Sequence, residues 1–188
     1  MAYNSDIHNR HSIRLKDYDY SQNGAYFVTI CAWQRECLFG EIVNSEMVSN
    51  DMGRIVVNEW EKTAQIRSNV DLDVFSVMPN HFHALFLIHD NVGTHCMHPK
   101  SAANDNRAHG RAPLRRQSGS IGSVFAGFKS ATTKQINIFR NNPDYPVWQR
   151  NYYERIIRNE DELSRAREYI VKNPMKWELD KENPVNCR

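Results

Sequence analysis

The sequence predicts an α+β fold: a ferredoxin-like, or RRM-like, antiparallel sheet with helices packed on one face. Three observations lead there. Apolar residues switch between a period of two and a period near 3.6 in the order β-α-β-β-α-β-α. Only Pro79-Asn80, a turn signal, separates the second strand from the third, so these two form a hairpin. The remaining elements then make two βαβ-like halves around that hairpin.

Each element has its own signal. Ala25–Ala32 (AYFVTICA) is aromatic and β-branched and reads as the first strand. Asn50–Arg67 carries Met52, Ile55, Val56, Trp60 and Ala64 at helical spacing, with Ser49 as the expected N-cap. Asp71–Met78 sets Leu72, Val74, Ser76 and Met78 against Asp71, Asp73, Phe75 and Val77, so both faces can be covered. His81–His89 (HFHALFLIH) is the next strand. Ile121–Arg140 is a second helix with Ile121, Val124, Phe125, Phe128, Ile136 and Phe139 turned inward. Val147–Arg158 reads as a fourth strand. Asn159 caps a last helix whose first turn holds Glu160, Asp161 and Glu162, where the helix dipole favours anions, and Pro174 ends it.

Length and composition are those of one soluble domain: 188 residues, 40% hydrophobic and 24% charged. The irregular stretch from 91 to 120, rich in Ser, Asn, Gly, Pro and Arg, is expected to be a mobile insertion. No apolar run is long enough for a membrane span, and the first residues lack a secretory h-region, so a cytoplasmic protein is expected. Cys31, Cys37, Cys96 and Cys187 are scattered, with no CxxC pair, and read as reduced thiols. The net charge of +2 conceals an uneven distribution. Between Arg111 and Arg158 nine bases face two acids, a local balance of +7 that leaves −5 for the rest. Such a basic segment suits a polyanion.

Two constellations could carry chemistry. His81 and His83 are i and i+2 on a strand, so both imidazoles share one face while Phe82 turns to the core. Two neutral imidazoles so placed can hold a divalent metal, although a bare HxH is short, common by chance and more often a pair of polar residues on a solvated sheet face. On the last helix, Tyr169 and Asn173 are i and i+4 and share a face. A phenol can attack phosphorus if a cation lowers its pKa from near 10, and an amide oxygen is a hard ligand for Mg²⁺ or Mn²⁺. Singly, a tyrosine is more often a rim residue and an asparagine before proline a helix end.

The segment VMPNHFHALFLI resembles the HUH motif (His, bulky hydrophobe, His) of single-tyrosine transposases of the insertion-sequence-200 type. GAYFVTICAWQRECLFGEI is similar to that family's first strand and following hairpin. GSIGSVFAGFKSATTKQIN and VWQRNYYERIIRNEDELSRAREYIVKNPMKWELD resemble the subgroup called REP-associated tyrosine transposases. The ordered series, from Arg14 to Asp180 without the insertion, is far more specific than HxH alone. The resemblance implies that His81 and His83 bind the metal and that Tyr169, on the C-terminal helix, is the catalytic tyrosine. It implies that Asn173 is a third ligand, in the place where classical members carry glutamine. It further implies a Mg²⁺- or Mn²⁺-dependent transposase, monomeric or homodimeric. Such an enzyme cuts and rejoins single-stranded DNA with hairpin or palindromic repeats through a 5′-phosphotyrosine link.

Lys129, Arg150, Arg155 and Arg158 are then candidates for phosphate contacts and Trp148 for base stacking, with Arg14 and Lys16 near a guide segment or hairpin foot. Tyr152 and Tyr153 are adjacent on a strand and point to opposite faces; they are read as packing or DNA-stacking residues. A non-catalytic RRM-like nucleic-acid-binding module is the competing expectation, but no KGFGFVxF-like string is present. A small metal-binding or assembly domain leaves the +7 segment unexplained.

Overall fold

The computed structural model describes residue 20 and residues 22–89 and 119–186. Its main sheet is antiparallel, with β4 (Val70–Met78), β5 (His81–Ile88), β1 (Gly24–Cys31) and β6 (Tyr153–Ile157) side by side in that order. Counting these four strands along the chain gives 2-3-1-4, the ferredoxin-like order that the βαβ halves predict. A separate hairpin, β2 (Gly40–Val43) and β3 (Glu46–Ser49), leads into helix α1 (Asp51–Ile66). The other helices are α2 (Ile121–Phe139) and α3 (Glu160–Lys172), and a 3-10 segment, Pro174–Leu179, follows α3.

The strand alternation sorts residues onto two faces. Tyr26, Val28 and Ile30 of β1, with Phe82, Ala84 and Phe86 of β5, face α1 and α2 and are fully buried. Trp60 of α1 anchors this side, with ring centroids 5.2 to 5.7 Å from Phe82, Phe86, Phe125 and Phe128. The opposite face carries Phe27 and Leu85, on which α3 sets Ile170. The two helices of the βαβ halves therefore share one face, as expected, and α3 covers the other.

Several local expectations are corrected. The N-cap of α1 is Asn50, whose side chain accepts the Gly53 N–H at 2.9 Å, because Ser49 is still paired in β3. Gly53 is required there: a Cβ would lie 2.2 Å from the Phe39 carbonyl oxygen. Asn159 does cap α3, accepting from Glu162 N–H at 2.8 Å. Phe139 is 55% exposed, because it lies on the last turn of α2, past the edge of the core. The fourth strand is shorter than predicted. Trp148 makes a single bridge to Ala32, and regular pairing resumes only at Tyr153. In β4 a bulge between Leu72 and Phe75 breaks the alternation. Leu72 and Phe75 both pack on the α1–α2 side, while Val74 joins the α3 side. The segment from 91 to 118, with Cys96, lies outside the described residues, as do Arg14, Lys16 and Cys187. Among the described residues no helix is long and apolar enough to cross a membrane, and Cys31 and Cys37 are free thiols.

Candidate active site

β5 and β1 build the floor of the site. Their register sets His83 opposite Thr29 and His81 opposite Cys31. Both imidazoles are buried, at 0% and 2% exposure, and their Nε2 atoms converge to 2.9 Å. The outer nitrogens are fixed. Asn80 directs its amide N–H groups to the carbonyls of Arg35 (3.1 Å) and Glu182 (2.7 Å). Its Oδ1 is therefore an acceptor, and His81 Nδ1–H donates to it at 2.9 Å. His81 Nε2 consequently carries a lone pair. Thr29 Oγ1 lies 2.8 Å from His83 Nδ1 and, as a hydroxyl, can accept or donate. When it accepts, His83 Nε2 carries a lone pair as well. Orientation of ligating histidines through their second nitrogen is a recurring feature of metal sites.

The third side of the site comes from the end of α3 and the chain after it. Asp180 follows the 3-10 segment, and its carboxylate reaches within 3.9 Å of His81 Nε2. Ligand atoms of His81, His83 and Asp180 all lie within 4.8 Å of one another, and all three residues are buried. Asn173 donates its amide N–H to Asp180 Oδ2 at 3.1 Å, while its own Oδ1 is buried without a hydrogen-bond partner. An orphaned hard oxygen, a carboxylate and two imidazoles suit a divalent cation; ligands about 2.1 Å from one ion at right angles would be about 3.0 Å apart.

The electrostatics agree. Burial pushes His81 down to about 4, and the opposing pulls of Asp180, Glu182 and Asn173 do not cancel it. Burial, then the neighbouring His81 and Lys181, hold His83 well below its ordinary value. Both rings are thus neutral near pH 7, the form that ligates metal. Tyr169 stands beside the pair, its ring 5.2 Å from that of His83 and 5.9 Å from Phe27. Burial and the Asp180 charge raise its phenol to about 12, with Asn173 pulling the other way. Cys31 is pushed up to about 12 by burial and by Glu182, to which its thiol donates, so it stays protonated.

The structure brings His81, His83, Tyr169 and Asn173 together. Asp180, Asn80, Thr29 and Glu182 were not anticipated. Asn80 reads only as a turn residue, Thr29 becomes a partner only through the β1–β5 register, and nothing local marks Asp180 or Glu182. The basic candidates divide. Arg155 lines the cleft before Tyr169 and pairs with Glu162 at 3.1 Å. Arg150 and Arg158 are exposed but not part of that lining. Lys129 binds the carbonyls of Gln149 and Arg150, which ties α2 to the entry of β6. Trp148 is a correction. It is 6% exposed, donates to Thr132 Oγ1 at 2.7 Å and packs on Phe39, so it has no open face for a base. Other cleft cations, Arg35, Arg165, Lys176 and Lys181, lie outside the basic segment of the sequence.

No protein-family model matches the chain. An uncharacterized protein of Haemophilus influenzae is 42% identical over 178 residues, 95% of either chain. Among solved structures, that of a REP-associated tyrosine transposase bound to a REP hairpin superimposes with a TM-score of 0.57 at 16% identity, over 88% of this chain and 74% of the other. The chain therefore belongs to one family with the Haemophilus protein, and its fold is that of a REP-associated tyrosine transposase.

Proposed function

We propose that the protein is a metal-dependent HUH transposase that nicks and rejoins single-stranded hairpin DNA, with Tyr169 as nucleophile. The observation that carries this reading is the buried cluster beside the Tyr169 ring: two neutral imidazoles, the Asp180 carboxylate and the unpartnered Asn173 oxygen. His81, His83 and Asp180, with Asn173 Oδ1, would hold Mg²⁺ or Mn²⁺. A cation so held supplies positive charge that polarises a phosphate and favours phenolate over phenol.

The residues of the chain do the rest. Phe27 and His83 hold the Tyr169 ring at the edge of the cluster, and Tyr169 lines the cleft where a phosphodiester would lie. Tyr169 Oη gives up its proton and bonds to phosphorus, and the bond from phosphorus to the 3′ oxygen breaks. That oxygen leaves and takes a proton, giving a 3′-OH and a 5′-phosphotyrosine. Because the phosphoester is conserved, a 3′-OH can reverse the step and join strands without a nucleotide cofactor. His83 and Tyr169 meet within one chain, which supports a tyrosine acting in its own subunit.

The test is incubation with Mn²⁺ or Mg²⁺ and a single-stranded hairpin oligonucleotide, followed by a denaturing gel. A covalent protein–DNA adduct is expected from the wild type and none from Tyr169→Phe, with adduct strongly reduced in His81→Ala. Adduct retained by Tyr169→Phe would remove the nucleophile assignment. Tight binding with no adduct under any metal would return the protein to the non-catalytic binding module.

A further inference from the structure

The adjacent tyrosines on either side of the point where β6 begins have opposite environments. Tyr152 turns to the α1–α2 core, with its ring 5.4 Å from Phe125. Tyr153 belongs to neither apolar cluster and is 48% exposed in the cleft before Tyr169. Two contacts of its ring are found among the described residues. The Phe27 and Tyr153 ring centroids lie 6.3 Å apart at an interplanar angle of 68°, and the Lys181 ammonium stands 6.0 Å over the Tyr153 ring. Packing does not account for a large apolar ring held in that position.

Its place across the sheet does. Tyr153 pairs with Thr29, and Thr29 pairs with His83, so the three lie in one row across β6, β1 and β5. Two strand spacings separate Tyr153 from His83, roughly 10 Å. That span carries a chain from a phosphate at the histidines to the nucleotide beside it. The cleft has a volume of about 790 Å³, with Phe27, Tyr153 and Tyr169 among the residues on its walls and Arg165, Lys176 and Lys181 as cations. Rings beside cations suit one ligand chemistry: a base that stacks and a backbone that carries negative charge.

We propose that Tyr153 is a stacking platform for the nucleobase next to the scissile phosphate. The inference rests on the single-stranded-DNA reading above and assigns it a nucleotide subsite. The nearby cations hold the flanking phosphates, and the Lys181 charge over the ring adds to the attraction for the backbone that a stacked base brings with it.

The experiment pairs a protein change with a DNA change. The probe is a fluorescent hairpin oligonucleotide with a single-stranded flank, in which one abasic site is moved through successive positions. Binding is measured by anisotropy at fixed salt, in the absence of divalent metal. Tyr153→Leu, which keeps bulk without a π face, should bind the intact probe about tenfold more weakly, while Tyr153→Phe binds as wild type. At one flank position the wild type should lose about the same tenfold to the abasic site, and Tyr153→Leu should lose nothing more. Equal losses for wild type and Tyr153→Leu at every position would overturn the assignment, as would unchanged affinity of Tyr153→Leu. Thermal melting of the variants reports folding separately, and Tyr153→Val, which favours a strand and also lacks a π face, carries the comparison if leucine unfolds the edge of the sheet. Adduct formation by wild type with an additive abasic scan would sink the subsite and keep the enzyme. A coupled scan without adduct would do the reverse, and a wild type that binds no single-stranded DNA would overturn both.

Discussion

The two faces of the sheet are made by the same strands and serve different ends. Toward α1 and α2, β1 and β5 present Tyr26, Val28, Ile30, Phe82, Ala84 and Phe86, all at 0% exposure around Trp60. Toward α3 they present Phe27, Thr29, His81, His83 and Leu85, and the buried apolar cluster there is small: Phe27, Leu85 and Ile170, with the half-buried Val74, Ile157, Leu163 and Ala166 against it. One face holds the fold together through contiguous apolar burial. The other keeps neutral imidazoles, a buried carboxylate and an unpartnered amide oxygen, an arrangement that costs stability unless something binds it. Stability and chemistry are thus separable by side, one residue apart along each strand.

The largest expected effect comes from breaking the stable face. Trp60→Ala removes the ring that joins four phenylalanines and should cost about 3–5 kcal/mol in urea unfolding. Tyr169→Phe, on the other face, should leave stability within about 0.5 kcal/mol. Comparable losses from both would mean that the α3 side is a second core.

Acid should act almost entirely on the polar face. Burial holds His81 at about 4, while an unfolded histidine titrates near 6.5. Between those values the unfolded chain binds protons that the native chain refuses, so stability rises with pH across the window and falls as pH drops through it. The metal-free protein should therefore lose about 3 kcal/mol from this group between pH 7 and pH 4, and His83 adds in the same direction. Urea titrations at several pH values check this against His81→Gln, which should flatten the slope. A wild-type profile no steeper than that of the variant would show that the imidazoles are not held neutral.

A smaller change isolates the carboxylate. Asp180→Asn preserves shape and removes charge, and should weaken Mn²⁺ binding, followed by titration calorimetry, by about 10–100-fold. Unaltered Mn²⁺ affinity would leave Asp180 as a structural acceptor for the Asn173 amide and the Glu182 N–H.

How much of this was legible beforehand follows the same division. The apolar face is written in local periodicity: Phe82, Val124, Phe125 and Phe128 are placed correctly by spacing alone. His81 and His83 share a face by the same rule, and Tyr169 and Asn173 by the helical one. What spacing does not carry is the contact between distant segments. Thr29 meets His83 through strand register, and Asp180 returns to His81 because the chain folds back after Pro174. The β4 bulge is equally hidden, since its alternating pattern fits either side. Trp148 is hidden as well, because an aromatic residue in a basic segment reads alike whether it stacks on a base or on Phe39.

The bulge leads to the subtlest expected effect. Bulges re-aim side chains, and here Asp73, inside the shift, receives Arg167 of α3 in a two-pronged contact. Arg167 Nε donates to Asp73 Oδ2 at 2.9 Å and Nη2 donates to the same oxygen at 2.7 Å, with Oδ1 at 3.2 Å from Nε. Arg167 lies two residues before Tyr169, and its side chain is 46% exposed, so the pair should contribute no more than about 1 kcal/mol to folding. Its expected effect is on orientation. Arg167→Ala should slow single-turnover adduct formation several-fold at saturating DNA while leaving DNA affinity unchanged, because the nucleophile's helix then loses its ionic tie to β4 and keeps the apolar contacts of Leu163, Ala166 and Ile170. Arg167→Lys should recover only part of the rate, since an ammonium cannot reproduce the fork. The double exchange Asp73→Arg with Arg167→Asp should recover more than either single change. If all these variants react at the wild-type rate, the small apolar cluster alone sets the tyrosine, and the polar face needs no ionic clamp.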